Sequence, residues 1–170
     1  MVSNGDLVQI ETCYGTREYI TITHTENDIE MYLLLSLKTL NRKEEFVTKL
    51  PEYNKIGINI KDINLKGIVE SYIEYNEPDT VEIEKYEPGL ILKAKGSDSK
   101  NYYSVVVVSF DGPDRRIWQY YLFNLETLRL TPVSEFENII RDYETFDNFN
   151  YTDLLLRIKW GDEHYKSSVR

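Results

Sequence analysis

The sequence predicts an α+β protein, rich in strands and built of two related strand-strand-strand-helix units with a connecting helix. The first observation is the stretch Asn101 to Leu128, NYYSVVVVSFDGPDRRIWQYYLFNLETL, which reads as two strands around the turn signal Asp111-Gly112-Pro113-Asp114. The second is a weaker echo upstream, Tyr19 to Leu40, in which Tyr32 to Leu40 aligns with Tyr120 to Leu128 and Ile20 to Thr23 with Val105 to Val108. The third is the flanking pattern. Phe46, Leu50 and Tyr53 follow one copy as Phe136, Ile140 and Tyr143 follow the other, and Gly5 to Ile10 precedes the first as Gly89 to Lys93 precedes the second. These matches point to an internal duplication. Residues 1–80 hold the first unit and the connecting helix and residues 81–170 the second, either as two domains or fused into one, with the boundary between Asn76 and Pro88.

The elements follow from period and punctuation. Asp6 to Thr12 reads as a strand, and Tyr14-Gly15-Thr16 as a turn. Glu18 to Thr25 alternates Tyr19, Thr21 and Thr23 against Ile20, Ile22 and His24, the period of a half-buried strand. After a turn at Glu26-Asn27-Asp28, Ile29 to Leu37 is a third strand. Its run Tyr32 to Leu35 lacks polar alternation, which predicts burial on both faces. Asn41-Arg42-Lys43-Glu44 has capping-box spacing and Pro51 is a stop, so a short helix is expected over Arg42 to Leu50. Ile56 to Ile60 fits a short strand. From Asp62 to Tyr75, Leu65, Ile68, Val69, Tyr72 and Ile73 share one helical face, with Gly67 weakening the helix by about 1 kcal/mol.

Asn76-Glu77-Pro78-Asp79 breaks that helix, and Val81 to Glu87 alternates apolar with acidic residues as a strand. Leu90 to Lys95 is a further strand, and the central hairpin ends at Thr131-Pro132. Ser134 to Glu137 is a second capping box, opening a helix from Glu135 to about Tyr143 that buries Phe136, Ile139, Ile140 and Tyr143. Phe146 to Tyr151 reads as a connector, Leu154 to Trp160 as a last strand, and Gly161 to Arg170 as a loose tail.

The chain of 170 residues is 41% hydrophobic with 14 Tyr, enough to bury a core without staples and unlike a disordered chain. A single Cys13 excludes a disulfide framework and fits a reducing, cytoplasmic compartment. No signal peptide opens the sequence and no apolar run reaches a membrane span, so no membrane partner is expected. Richness in Ile, Asn, Lys, Glu and Tyr is the composition of an AT-rich genome, as in low-GC bacteria or their phages. The formal charge of −9 is unevenly spread. Residues 1–87 carry 17 acids against 9 bases, net −8, and residues 88–170 carry 12 against 11, net −1. Such acidity repels phosphate backbones and disfavours direct nucleic-acid binding, while it attracts a basic protein.

Catalytic and cofactor motifs are absent. There is no phosphate-binding glycine loop, no Gly-x-Ser-x-Gly elbow and no His-Glu-x-x-His, so neither a cofactor nor a metal is expected. Cys13 with His24 would be a nucleophile and base pair, but Cys is more often a small buried residue. Asp162, Glu163 and His164 are too tightly spaced on a tail to prefer a metal over water.

The acid cluster carries the functional expectation. Glu70, Tyr72, Glu74, Tyr75, Glu77, Asp79, Glu82, Glu84 and Glu87 fall in one short segment, acids interleaved with tyrosines. Glu70 and Glu74 share a helix face and repel slightly, which an opposing positive surface would relieve. Tyr brings large contact area and a polar tip to interfaces. The pattern suits a non-enzymatic protein, such as a phage-encoded anti-defence inhibitor, that docks on a basic, nucleic-acid-handling protein by mimicking nucleic acid. The bland alternative is a solvated face. A second patch, Arg115, Arg116 and Trp118 at the hairpin turn, has the residue types that anchor interfaces and would instead capture an anionic small molecule or nucleotide. Gly5-Asp6-Leu7-Val8-Gln9-Ile10 resembles the opening strand of small SH3-like barrels, which implies such a barrel for each unit.

Overall fold

The computed structural model describes residues 1–36, 44–84, 89–96, 100–111 and 113–150. In chain order the elements are β1 (Asp6–Thr12), β2 (Gly15–Glu26), β3 (Ile29–Ser36), β4 (Glu44–Val47), β5 (Asn54–Asn59), α1 (Ile60–Ile63), α2 (Leu65–Asn76), β6 (Thr80–Glu82), β7 (Leu90–Ala94), β8 (Tyr102–Asp111), β9 (Arg116–Asn124), β10 (Leu130–Val133), α3 (Phe136–Asp142) and β11 (Tyr143–Asn150). The chain is therefore β-rich with few helices, as its sequence predicts. The last strand and tail expected beyond Asn150 lie outside the described residues.

The first three strands form an antiparallel meander, and so do β7, β8 and β9. Asn27 and Asp28 turn β2 into β3 with φ of 53° and 62°, the two-residue hairpin geometry that short polar side chains tolerate. β4 joins the meanders, antiparallel to β3 at Leu33↔Phe46 and parallel to β8 at Glu44↔Val108. β8 is the central strand, with β9 along one edge and β7 and β4 sharing the other. Its continuous Val105 to Val108 run follows from burial on both faces. Val106 and Val108 enter the main core, and Val105 enters a smaller one capped by α3.

The main core draws Leu7, Ile20, Ile22, Leu33 and Leu35 from the first meander, Leu65 and Val69 from α2, and Tyr121, Phe123, Phe146 and Phe149 from the second half. Residues on both sides of the expected boundary thus share one core. Each fully buried aliphatic side chain contributes about 1.5–3 kcal/mol. Among the described residues the sheet does not close into an SH3-like barrel; its path is open, ending at β5 and at β6.

Several local expectations are corrected. Residues 44–47 form a strand instead of the helix expected over Arg42 to Leu50. The bonding offered by β3 on one side and β8 on the other outweighs a capping box whose first residue, Asn41, lies outside the described residues. Phe146 to Asn150 is not a connector but part of β11, which pairs with β6 and β7. The central hairpin ends at Asn124, short of Thr131-Pro132, which belong to β10; that strand pairs with β9 on its outer side, where the missing N–H of Pro132 is tolerated. Ser134 does not cap α3. The N-cap is Glu135 without a side-chain bond, and Ser134 Oγ accepts instead from Asn138 Nδ2 at 3.0 Å. In β3 only one face is fully buried, at Leu33 and Leu35, while Tyr32 and Leu34 are half-buried.

The letter alignment of the two hairpins does not coincide with their pairing. Ile20 pairs with Leu35, whereas Val105 pairs with Leu122, the counterpart of Leu34. Ile20 and Ile22 share the main core with Val106 and Val108, one residue beyond the positions the letters match. A one-residue offset exchanges the faces of a strand.

Candidate functional site

The acidic segment folds as α2, a turn and β6. Asn64 caps α2, its side-chain oxygen accepting from Gly67 N at 3.1 Å. A Cβ on Gly67 would lie 2.5 Å from Asn64 Nδ2, so this glycine makes room for the cap rather than merely weakening the helix. Leu65 and Val69 are buried, and Ile68, Tyr72 and Ile73 pack beside them. At the other end Glu77, with φ of 45°, donates its N–H to the Ile73 carbonyl and ends the helix.

The solvent side of α2 carries an open groove of about 640 Å³, lined by Ile63, Asn64, Gly67, Ile68, Ser71, Tyr72, Tyr75 and Asn76. Two of the tyrosines singled out from the sequence meet there in different roles. Tyr75 is 90% exposed, whereas Tyr72 is half-buried and stacks on Phe149. Ser71 forms the low floor between larger neighbours, with the Asn64 side chain covering Gly67 beside it, and nothing in the sequence marks Ser71 as part of a site.

Glu70 and Glu74 occupy the neighbouring stripe of the helix. Glu74 is exposed, and Glu70 is half-buried and close enough to Tyr102 to act on it. Burial, and secondarily the charge of Glu70, push the Tyr102 phenol above its ordinary value. Glu77, Asp79, Glu82 and Glu84 are exposed along the turn and β6. Glu82 is partly compensated, 3.8 Å from Lys95 Nζ. Glu87, like Tyr86, lies outside the described residues.

β11 extends this acidic edge with residues far away in sequence. Glu144 sits directly opposite Glu82, a like-charge cross-strand pair, and Asp147 donates its N–H to the Asp79 carbonyl at 2.9 Å. No sequence signal places Glu144 or Asp147 here, because only the long-range pairing of β11 with β6 brings them to this edge.

The other sequence candidates stand apart. Arg115 and Trp118 are exposed at the β8–β9 turn, and Arg116 opens β9 opposite Asp111. The groove lies on α2 and not at this tip. Cys13 is exposed in the β1–β2 turn, while His24 lies nine residues along β2 from Gly15, roughly 30 Å away. They form no nucleophile and base pair. His24 instead stacks on Phe46 with centroids 5.3 Å apart, and its Nε2 is 3.6 Å from Glu26 Oε2. Asp162, Glu163 and His164 lie outside the described residues. Among the described residues no three His, Cys, Asp or Glu side chains converge as a metal set, and no helix is long and apolar enough to cross a membrane. No known protein family, curated protein or solved structure matches this chain.

Proposed function

We propose that this is a non-enzymatic binding protein whose acidic, tyrosine-bearing face, formed by α2, the following turn and β6, docks on a basic surface of another protein. A nucleic-acid-handling enzyme is the class of partner such a surface would fit, and an inhibitor acting as a nucleic-acid mimic, of the kind phages direct against host defences, is the corresponding role. The observation that carries this reading is the groove on α2, lined by Tyr72 and Tyr75 beside Glu70 and Glu74. Tyr75 contributes little to the core at 90% exposure, and large exposed aromatics beside like charges are what a partner would cover.

The test is affinity capture in moderate salt, then replacement of Glu70, Glu74, Glu82 and Glu84 by Lys. The reversed protein should keep its circular dichroism spectrum and lose the partner. Retention of the same partner with equal affinity would sink the proposal. The rival reading, capture of an anionic small molecule by Arg115, Arg116 and Trp118, draws on the exposure of Arg115 and Trp118. It is favoured if a nucleotide raises the melting temperature and Arg115→Ala abolishes that rise.

A further inference from the structure

We propose that the groove on α2 receives an amphipathic α-helix of the partner, with a basic flank, laid along α2. This rests on the reading above and specifies what the acidic face holds. The lining forms two adjacent rows of the helix at i, i+4 spacing. Ile68, Tyr72 and Asn76 make one row, Gly67, Ser71 and Tyr75 make the other, and the Asn64 cap closes the start. Such rows are the ridges and grooves by which helices pack on one another. In the second row the Asn64 side chain lies over Gly67 and Ser71 is short, so the groove is lowest at Ser71, where an opposing helix approaches most closely. From Asn64 to Asn76 the groove runs about 18 Å, or a little over three helical turns.

The chemistry of the occupant follows from the walls. Ile68 and the ring of Tyr72 are half-buried and offer an apolar side, and Ile63 adds to it at the start of the groove. Glu70 and Glu74 form the next stripe on the opposite side, with Tyr75 between. An occupant is therefore apolar on one face and carries Lys or Arg on the edge that meets Glu70 and Glu74. Most of the chain's excess negative charge lies in residues 1–87, which favours the approach of such a segment. An extended strand would leave its alternate side chains without a wall to meet, whereas residues at i, i+3, i+4 and i+7 of a helix all face the groove.

The probe is a fluorescein-labelled Leu and Lys peptide patterned as a four-turn amphipathic helix. Its control has the same composition with Leu and Lys alternating. Fluorescence anisotropy with the full chain should show the helical peptide binding about tenfold or more tighter than its control. Ser71→Trp fills the groove floor from an exposed position and should remove that preference. Tyr75→Ala, at a side chain too exposed to matter for folding, should weaken the helical peptide severalfold and leave the control unchanged. No binding of the helical peptide, or undiminished binding by Ser71→Trp, overturns the inference. Equal binding of both peptides, lost when Glu70, Glu74, Glu82 and Glu84 become Lys, also overturns it but leaves the acidic-face reading standing.

Discussion

Tyr72 on α2 and Phe149 on β11 stack face to face, with ring centroids 4.0 Å apart and planes 10° from parallel. This contact fastens the groove-bearing helix to the second half of the chain. Phe149 is 2% exposed, so Phe149→Ala removes a large buried ring and should lower stability by about 3–5 kcal/mol. Tyr72→Ala should do less, because that ring is half-exposed. In a double-mutant cycle read by chemical denaturation the two should be coupled by about 1 kcal/mol. Strict additivity would show that the stack does not hold α2 in place.

Gly5 is a crossing point of three segments. Its N–H donates to the Thr21 carbonyl at 2.7 Å, and its own carbonyl accepts from Ile60 N at 2.8 Å. Its φ is +92°, and an added Cβ would lie 2.7 Å from Asn59 Oδ1 and 2.8 Å from Leu128 Cδ1. Gly5→Ala therefore meets both left-handed strain and a close-packed wall, and should cost about 3 kcal/mol. Gly15 makes the control. Its φ is +102° but nothing lies near its missing Cβ, so Gly15→Ala should cost only the backbone strain, about 1–2 kcal/mol. Equal denaturation midpoints for the two variants would refute the packing argument.

What could be read in the sequence was local. The hairpin β8–β9 announces itself by its turn and its valines, and α2 by Leu65, Val69 and Tyr72 at helical spacing. The elements that were misread owe their form to distant partners. β4 has four residues and exists because β3 and β8 flank it. In β11, Phe146 and Phe149 are both buried although three residues apart. A shift in register between Thr145 and Asn150 breaks the two-residue period that would have marked a strand. The site divides in the same way. Its acids and tyrosines on α2 and β6 were legible as a cluster, whereas Glu144 and Asp147 reach it only through strand pairing. The groove floor at Ser71 has no compositional mark.

Thr21 is fully buried on β2, and its Oγ1 has no hydrogen-bond partner among the described residues. A buried hydroxyl without a partner costs roughly 1–3 kcal/mol. Thr21→Val keeps the branched shape that a strand favours and removes the polar atom, so it should raise stability by about 1 kcal/mol. The midpoint of urea unfolding should rise with an unchanged slope. A lower midpoint would show that the hydroxyl is satisfied in solution.

Tyr121 is buried at 3% exposure, its ring edge-on to both His24 and Phe46. Burial pushes its phenol up to about 12 from the ordinary 10.0, and the charge of Glu26 and a hydrogen bond to that carboxylate add to the rise. The folded value lies above the unfolded one, so folding favours the neutral phenol. That contribution is complete below pH 10 and is lost progressively as pH rises from there through about 12. An alkaline titration followed by tyrosinate absorbance should show Tyr121 ionising late, together with unfolding. Tyr121→Phe should lose no more than about 1 kcal/mol at neutral pH, because Glu26 forfeits a donor but is half exposed and regains water. The same variant should make stability less dependent on pH in the alkaline window. Glu26→Gln should lower the Tyr121 value without returning it to 10.0, since burial, the larger cause, remains. A Tyr121 that titrates with the exposed tyrosines in the native protein would contradict its place in the core.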